Sequence, residues 1–133
     1  SKVTTPFILL LRSGMKTPEK DDLQLLLMHM AKKEAMAAAP MIVDERGKII
    51  AAGVKWDEKK KDYVPKYKGH SASEPGEMNE LLAAAGTPAI VTGCMLVRTQ
   101  QADENSLKKI RKGQSEGLLI NEPRARVRFS SCK

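Results

Sequence analysis

Apolar residues dominate the stretch from Thr5 to Leu11, which the polar break Arg12-Ser13-Gly14 then closes. A run that is apolar at successive positions is one buried on both faces, so it predicts a central strand. Thr17-Pro18 opens a helix: a hydroxyl for the N-cap, proline in the first turn, and acidic Glu19, Asp21 and Asp22 near the positive end of the dipole. Leu23, Leu26, Leu27, Met30 and Ala37 follow at helical spacing, with Lys32 on the opposite face and Lys33 at the stripe's edge. The pattern predicts that this helix runs on through the alanine-rich Ala35 to Ala39 until Pro40 stops it. Glu34 falls on the stripe and needs either a partner or a place beyond the buried part.

Met41-Ile42-Val43 reads as a strand, Asp44 to Gly47 as a turn, and Lys48 to Val54 as the returning strand. Gly47 supplies the positive φ of a tight hairpin. Lys55 to Gly69 is polar and lysine-rich, with Trp56, Tyr63 and Tyr67 interleaved, and fits either a second hairpin or a long exposed loop. His70 to Gly76 reads as loop, and Glu77 to Ala85 as a short helix ended by Gly86. Ala89 to Val97 is a strong strand, again mostly apolar on both sides. Ser106 caps a helix through Lys112 that Gly113 closes. Leu118 to Ile120 and Arg126 to Ser130 are the last strands, with Pro123 between them.

The order is therefore β-α-β-β-α-β-α-β-β. Helices alternating with doubly apolar strands predict an α/β fold, a three-layer α-β-α sandwich on a mixed sheet with some parallel pairing. The 133 residues hold one domain, 1–133, with no internal repeat and no linker.

Composition narrows the function. Hydrophobic residues at 41% are enough for a core, which excludes disorder. No apolar run approaches the ~20 residues of a membrane span, and no secretory signal stands at the start, so no membrane partner is expected. Cys94 and Cys132 are far apart with no Cys-x-x-Cys, which fits reduced thiols in an intracellular, reducing compartment. The net charge of +7 favours a polyanionic partner, RNA above all. Aromatics at 4% are too few for a wide stacking platform, so phosphate contacts have to dominate.

The cations fall in three groups. Lys59, Lys60, Lys61, Lys66 and Lys68 share a segment with Trp56, Tyr63 and Tyr67; Lys108, Lys109, Arg111 and Lys112 form the second group. Arg124, Arg126 and Arg128 alternate with Ala125, Val127 and Phe129, which puts the three guanidiniums on one strand face. Such a row suits phosphates, and it equally suits a charged sheet edge that resists aggregation.

Catalytic and metal chemistry have little to stand on. His29, His70, Cys94 and Cys132 are the metal ligands on offer besides carboxylates, and none forms the close pair that a zinc site needs. His29 lies beside the core stripe as a packed or partly exposed side chain. Cys94 sits in an apolar strand, where burial raises a thiol's pKa and leaves it inert. No nucleophile elbow or glycine-rich phosphate loop occurs. Glu74 and Glu77 are accounted for by the N-terminus of the helix they adjoin.

From Asp21 onward the chain resembles a degenerate member of the cytidine deaminase-like superfamily, nearest the tRNA adenosine deaminase branch. Met30-Ala31-Lys32-Lys33-Glu34-Ala35 is similar to the end of that family's first helix, and Ala39 to Gly53 to its first β-hairpin. Pro75-Gly76-Glu77-Met78-Asn79-Glu80-Leu81 matches the stretch that carries the family's His-Ala-Glu motif, and Ala89-Ile90-Val91-Thr92 the strand leading to its Pro-Cys-x-x-Cys. Pro75 stands at the zinc-binding histidine, Cys94 near the first cysteine without its proline, and Val97 where the second would be. Of the catalytic set only Glu77 survives, a vestigial proton shuttle with no zinc-activated water to act on. The resemblance thus implies a non-catalytic protein with no cofactor and no metal. The expected role is an RNA-associated subunit or scaffold of a larger assembly, with a protein partner. The alternatives are a basic structural protein of a ribonucleoprotein such as a ribosome, and an enzyme subunit whose site a partner chain completes.

Overall fold

In a computed structural model, the structure describes residues 7–73, 81–91 and 93–130. Five strands form a sheet in the order β1 (Phe7–Leu11), β7 (Cys94–Arg98), β2 (Ala35–Val43), β8 (Leu118–Arg128) and β6 (Ala85–Gly86). A sixth, β3 (Ile49–Ala51), pairs with the far end of β2. β4 (Val54–Asp57) and β5 (Asp62–Pro65) make a separate hairpin. β2 and β8 run parallel while the other strand pairs described are antiparallel, so the sheet is mixed.

One helix covers each face. On one side Leu26 of α1 (Lys20–His29) and Met30, which caps its end, pack on Ala35, Ala38, Leu96 and Ile120. On the other, Ile110 of α2 (Glu104–Lys112) packs on Ala37, Ala39, Val97 and Leu119. The fold is thus an α/β sandwich of three layers, as the alternation of patterns predicts.

The largest departure is the alanine-rich stretch. It is not the end of α1, which stops at His29; Ala35 to Ala39 open β2, in the middle of the sheet. Alanine has high helix propensity, but here it lies between β7 and β8 with a helix over each face. Small side chains let both helices approach, and that packing overrides local preference. Pro40 therefore does not end a helix. It lies in β2 where the register with β8 shifts, a place at which a missing ladder donor costs little. Glu34 is exposed and lies beyond the end of α1. Thr17 is not the N-cap of α1: Glu19 holds that position, with no side-chain cap bond.

β1 is doubly apolar yet lies at the sheet edge. Phe7 and Leu9 face the α1 layer and Ile8 and Leu10 the α2 layer. The pattern reports coverage of both faces and carries no information on position within the sheet. The strand read over Ala89 to Val97 begins only at Cys94, while Ala89 and Ile90 are buried ahead of it. Leu118 to Ile120 and Arg126 to Arg128 belong to one strand, β8. Pro40 pairs with Glu122 and Met41 with Arg126, so Pro123 falls within an irregularity where residues 123–125 are looped out. The first four residues of the helix expected over Glu77 to Ala85 lie outside the described residues, and its end does not form: Ala85-Gly86 is β6.

The expected Ser106 cap does not form, and the returning strand expected over Lys48 to Val54 is broken, since β3 ends at Ala51 and Val54 opens β4. Gly47 turns at φ +83° between β2 and β3. α2 ends at Gly113, and its N-cap is Asp103, whose carboxylate accepts from the Ser106 N–H at 2.7 Å and from the Ser106 hydroxyl. Of the two readings of Lys55 to Gly69, the hairpin is the one that forms. Asp57 Oδ1 accepts from the Lys59 and Lys60 N–H groups at its tip, an Asx turn.

Candidate nucleic-acid interface

α2 is strongly amphipathic. Ile110 is buried, while Lys108, Arg111 and Lys112 share the face flanking it, at the i, i+3, i+4 spacing of helix neighbours. That face meets the hairpin. Lys112 Nζ lies 3.0 Å from Asp62 Oδ2, which holds the Asp62 carboxyl below its usual range. Tyr63 packs over Gly113, where a Cβ would stand 2.5 Å from the ring, so only glycine allows this approach; its φ of +76° makes the same demand.

Between the hairpin and α2 is a cleft of about 480 Å³, lined by Tyr63, Val91 and the three α2 cations among others. It adjoins a second of about 270 Å³, sharing Leu107 and Arg111, whose floor is Leu10, Leu11 and Met95. A third, about 180 Å³, shares Arg12 and Gly93 with the second and is bounded by Lys68 and Phe129. The three clefts adjoin one another through these shared residues and are taken together as one groove. Five cations line it (Arg12, Lys68, Lys108, Arg111, Lys112) against the carboxylates Asp62 and Glu104.

The first two cation groups, separate in sequence, are thus brought together in part. Lys59, Lys60 and Lys61 are exposed at or beside the hairpin tip, with Lys61 3.0 Å from Glu58. Lys66 follows β5, its ammonium 5.4 Å from the Tyr67 ring centroid. Lys109 is exposed on α2 and is not among the residues lining the cleft. Arg12 drew no attention in the sequence, where it is one basic residue in a turn. The structure sets its guanidinium 5.8 Å from the Phe129 ring centroid, in the wall of the groove.

The arginine row divides. All three arginines are exposed and alternate with buried Ala125 and Val127, as strand geometry requires. Arg124, however, is a structural partner. Its Nε, Nη2 and backbone N–H all donate to the carboxylate of Glu122, at 2.7–3.0 Å. Glu122 is 0% exposed, and His29 Nε2 lies 2.7 Å from its Oε1. Burial alone would push this carboxyl up, but the bonds from Arg124 and His29 outweigh it and hold it at about 2. The cluster ties the irregular stretch of β8 to the end of α1, and the reading of Arg124 as simply another phosphate contact gives way to it. Glutamate among alternating arginines carries no sequence signal of such burial.

Arg126 and Arg128 line a separate cleft of about 460 Å³ with Lys16, facing Glu19 and Asp22. Arg126 Nη2 donates to Ala72 O at 2.9 Å. Burial raises the Asp22 carboxyl, opposed by the Arg126 backbone N–H. This cleft carries both signs of charge and is the weaker anion site.

Among the described residues no three His, Cys, Asp or Glu side chains converge as metal ligands, and no helix is long and apolar enough to cross a membrane. Glu74 and Glu77, with the motif-like stretch around them, lie outside the described residues, as does Cys132. Cys94 is fully buried and its thiol is pushed up to about 12. Iodoacetamide at pH 8 is expected to leave Cys94 unmodified in the native protein and to alkylate it in urea, read by peptide mass mapping. Rapid native labelling would place this thiol at the surface.

Comparison with known proteins returns no matching family model and no matching curated sequence.

Proposed function

We propose that this chain is a non-catalytic, RNA-associated domain that serves as a subunit or scaffold of a larger intracellular assembly. The observation that carries the reading is the set of adjoining clefts along α2, where Lys108, Arg111 and Lys112 stand with Arg12 and Lys68 from distant parts of the chain. Cations at the rim of a concave surface concentrate positive potential and draw phosphates before any specific contact forms. The apolar floor at Leu10, Leu11 and Met95 offers no nucleophile and no general base.

The likeness to the deaminase-like superfamily supports a non-catalytic role. Its hairpin signature is present in Ala39 to Gly53, while proline and valine stand at two of the three zinc-ligand positions. Deamination needs the zinc-bound hydroxide that those ligands would create.

The test is binding of a labelled RNA across a salt series. Affinity should fall steeply with salt, each phosphate contact contributing ~0.7–0.9 to the slope of log K against log salt. Lys108→Gln with Arg111→Gln should flatten the slope by about 1.5 if both meet phosphate. Neither residue anchors the hairpin, so folding is expected to be unchanged by circular dichroism. Absence of binding even at low salt would overturn the RNA reading and leave the charge to a protein partner.

A further inference from the structure

The lone tryptophan stands on the hairpin and takes no part in the core. Trp56 is 46% exposed on the β4–β5 hairpin, outside every buried cluster of the core. We infer that Trp56 is a stacking position for one unpaired base, so that the strand taken by this domain is single-stranded RNA. The inference rests on the RNA reading above and names the form of RNA.

Three features make Trp56 a fixed platform. It pairs across the hairpin with Tyr63, ring centroids 5.1 Å apart and planes at 74°, so an edge-to-face contact supports one side of the pair. The indole N–H donates to Glu58 Oε2 at 2.9 Å. Glu58 spends its other oxygen on Lys61, which offsets the acid beside the ring. The hairpin itself is docked, through Tyr63 over Gly113 and Asp62 with Lys112. Little conformational freedom is then left to lose when a base arrives.

Position supplies the occupant. Tyr63 lines the groove and touches Trp56, so a strand whose phosphates follow Lys108 and Arg111 passes Tyr63 and reaches the indole. Lys59 and Lys60 are exposed in the turn that follows β4, on the same hairpin. A duplex keeps its bases stacked inside and is met through its backbone and minor groove, so a protruding indole gains nothing from it. An unpaired base has a free π-face, and stacking accepts any base. One such position among so few aromatics fits a protein whose affinity is mostly electrostatic and whose sequence preference is weak.

The same residue reports on the test, because Trp56 is the only tryptophan in the chain. The full chain is titrated at low salt with oligo(U) RNA, oligo(A) RNA and an RNA duplex of equal length, following anisotropy of the RNA and emission of the protein. Single strands should bind more tightly than duplex and quench Trp56 in step with anisotropy; the duplex should bind without quenching. Trp56→Ala should weaken single-strand binding about 5- to 100-fold and duplex binding less than about twofold. Trp56→Phe, which keeps a ring, should retain most of the advantage. A loss of hairpin structure in Trp56→Ala would leave the wild-type quenching as the deciding measurement. Equal binding of single strand and duplex with unchanged emission would overturn the stacking role and leave the RNA reading standing. No binding of any RNA would overturn both.

Discussion

Arg124→Ala is expected to destabilise the protein more than any other change on its strand face, because it strips two side-chain bonds from a buried carboxylate. The charge left behind is Glu122, 0% exposed, with His29 as its remaining side-chain partner. Arg126→Ala and Arg128→Ala, on the same strand face, should each stay within about 0.5–1 kcal/mol. Urea denaturation of the three variants makes the comparison, and equal midpoints would mean that the Glu122 cluster does not hold β8 to α1. Acid provides a second view. The Glu122 carboxyl is held at about 2 in the folded chain against an ordinary 4.5. Its contribution is therefore fully present above about pH 4.5 and is lost as pH falls through the window down to about 2. Arg124→Ala brings the folded value back toward the ordinary one, so its stability should fall less over that window than the wild type's. The result also bears on RNA work: a variant that neutralises all three arginines would mix lost stability with lost charge, whereas Arg126→Gln with Arg128→Gln leaves the Glu122 cluster intact.

Ile90→Ala should cost about 2–5 kcal/mol, a large part of a small domain's stability. Ile90 is 2% exposed, packs in the cluster of Ile110, Val97 and Met95, and donates its N–H to Ile110 O at 3.2 Å. The doubly apolar run that contains it reads as a strand, yet the residue precedes β7 and serves as the seat of α2. Its truncation opens a cavity beneath the helix that carries Lys108 and Arg111. Leu82→Ala, at a site 57% exposed, is the control and should change stability by less than about 0.5 kcal/mol. Thermal unfolding of the two variants checks this, and an Ile90→Ala melting temperature equal to the control's would place Ile90 outside the core.

Within the described residues, what the sequence determined by itself is short-range. Gly113 ends α2 because a left-handed terminus is settled by residues in direct chain contact, whereas the start falls at Asp103, ahead of the Ser106 that the sequence offered as cap. Gly47 fixes its turn for the same reason, and alternation alone puts Arg124, Arg126 and Arg128 on one face. Two-sided apolar runs announced a sheet covered by helices above and below. Tertiary structure decided what depends on partners distant in the chain. Ala35 to Ala39 became a central strand because β7 and β8 bond its two edges and a helix lies over each face, an environment no local propensity encodes. β1 went to the edge because strand order is a matter of which edges pair, not of which faces are apolar. Glu122 became a buried carboxylate only where β8 loops out beneath α1 and meets His29 from 93 positions away. The groove belongs to the same class. Lys108 and Arg111 meet Tyr63 and Arg12 because Gly113 admits an aromatic ring and the chain turns beside Phe129, and charge in a sequence does not say which charges will share a surface.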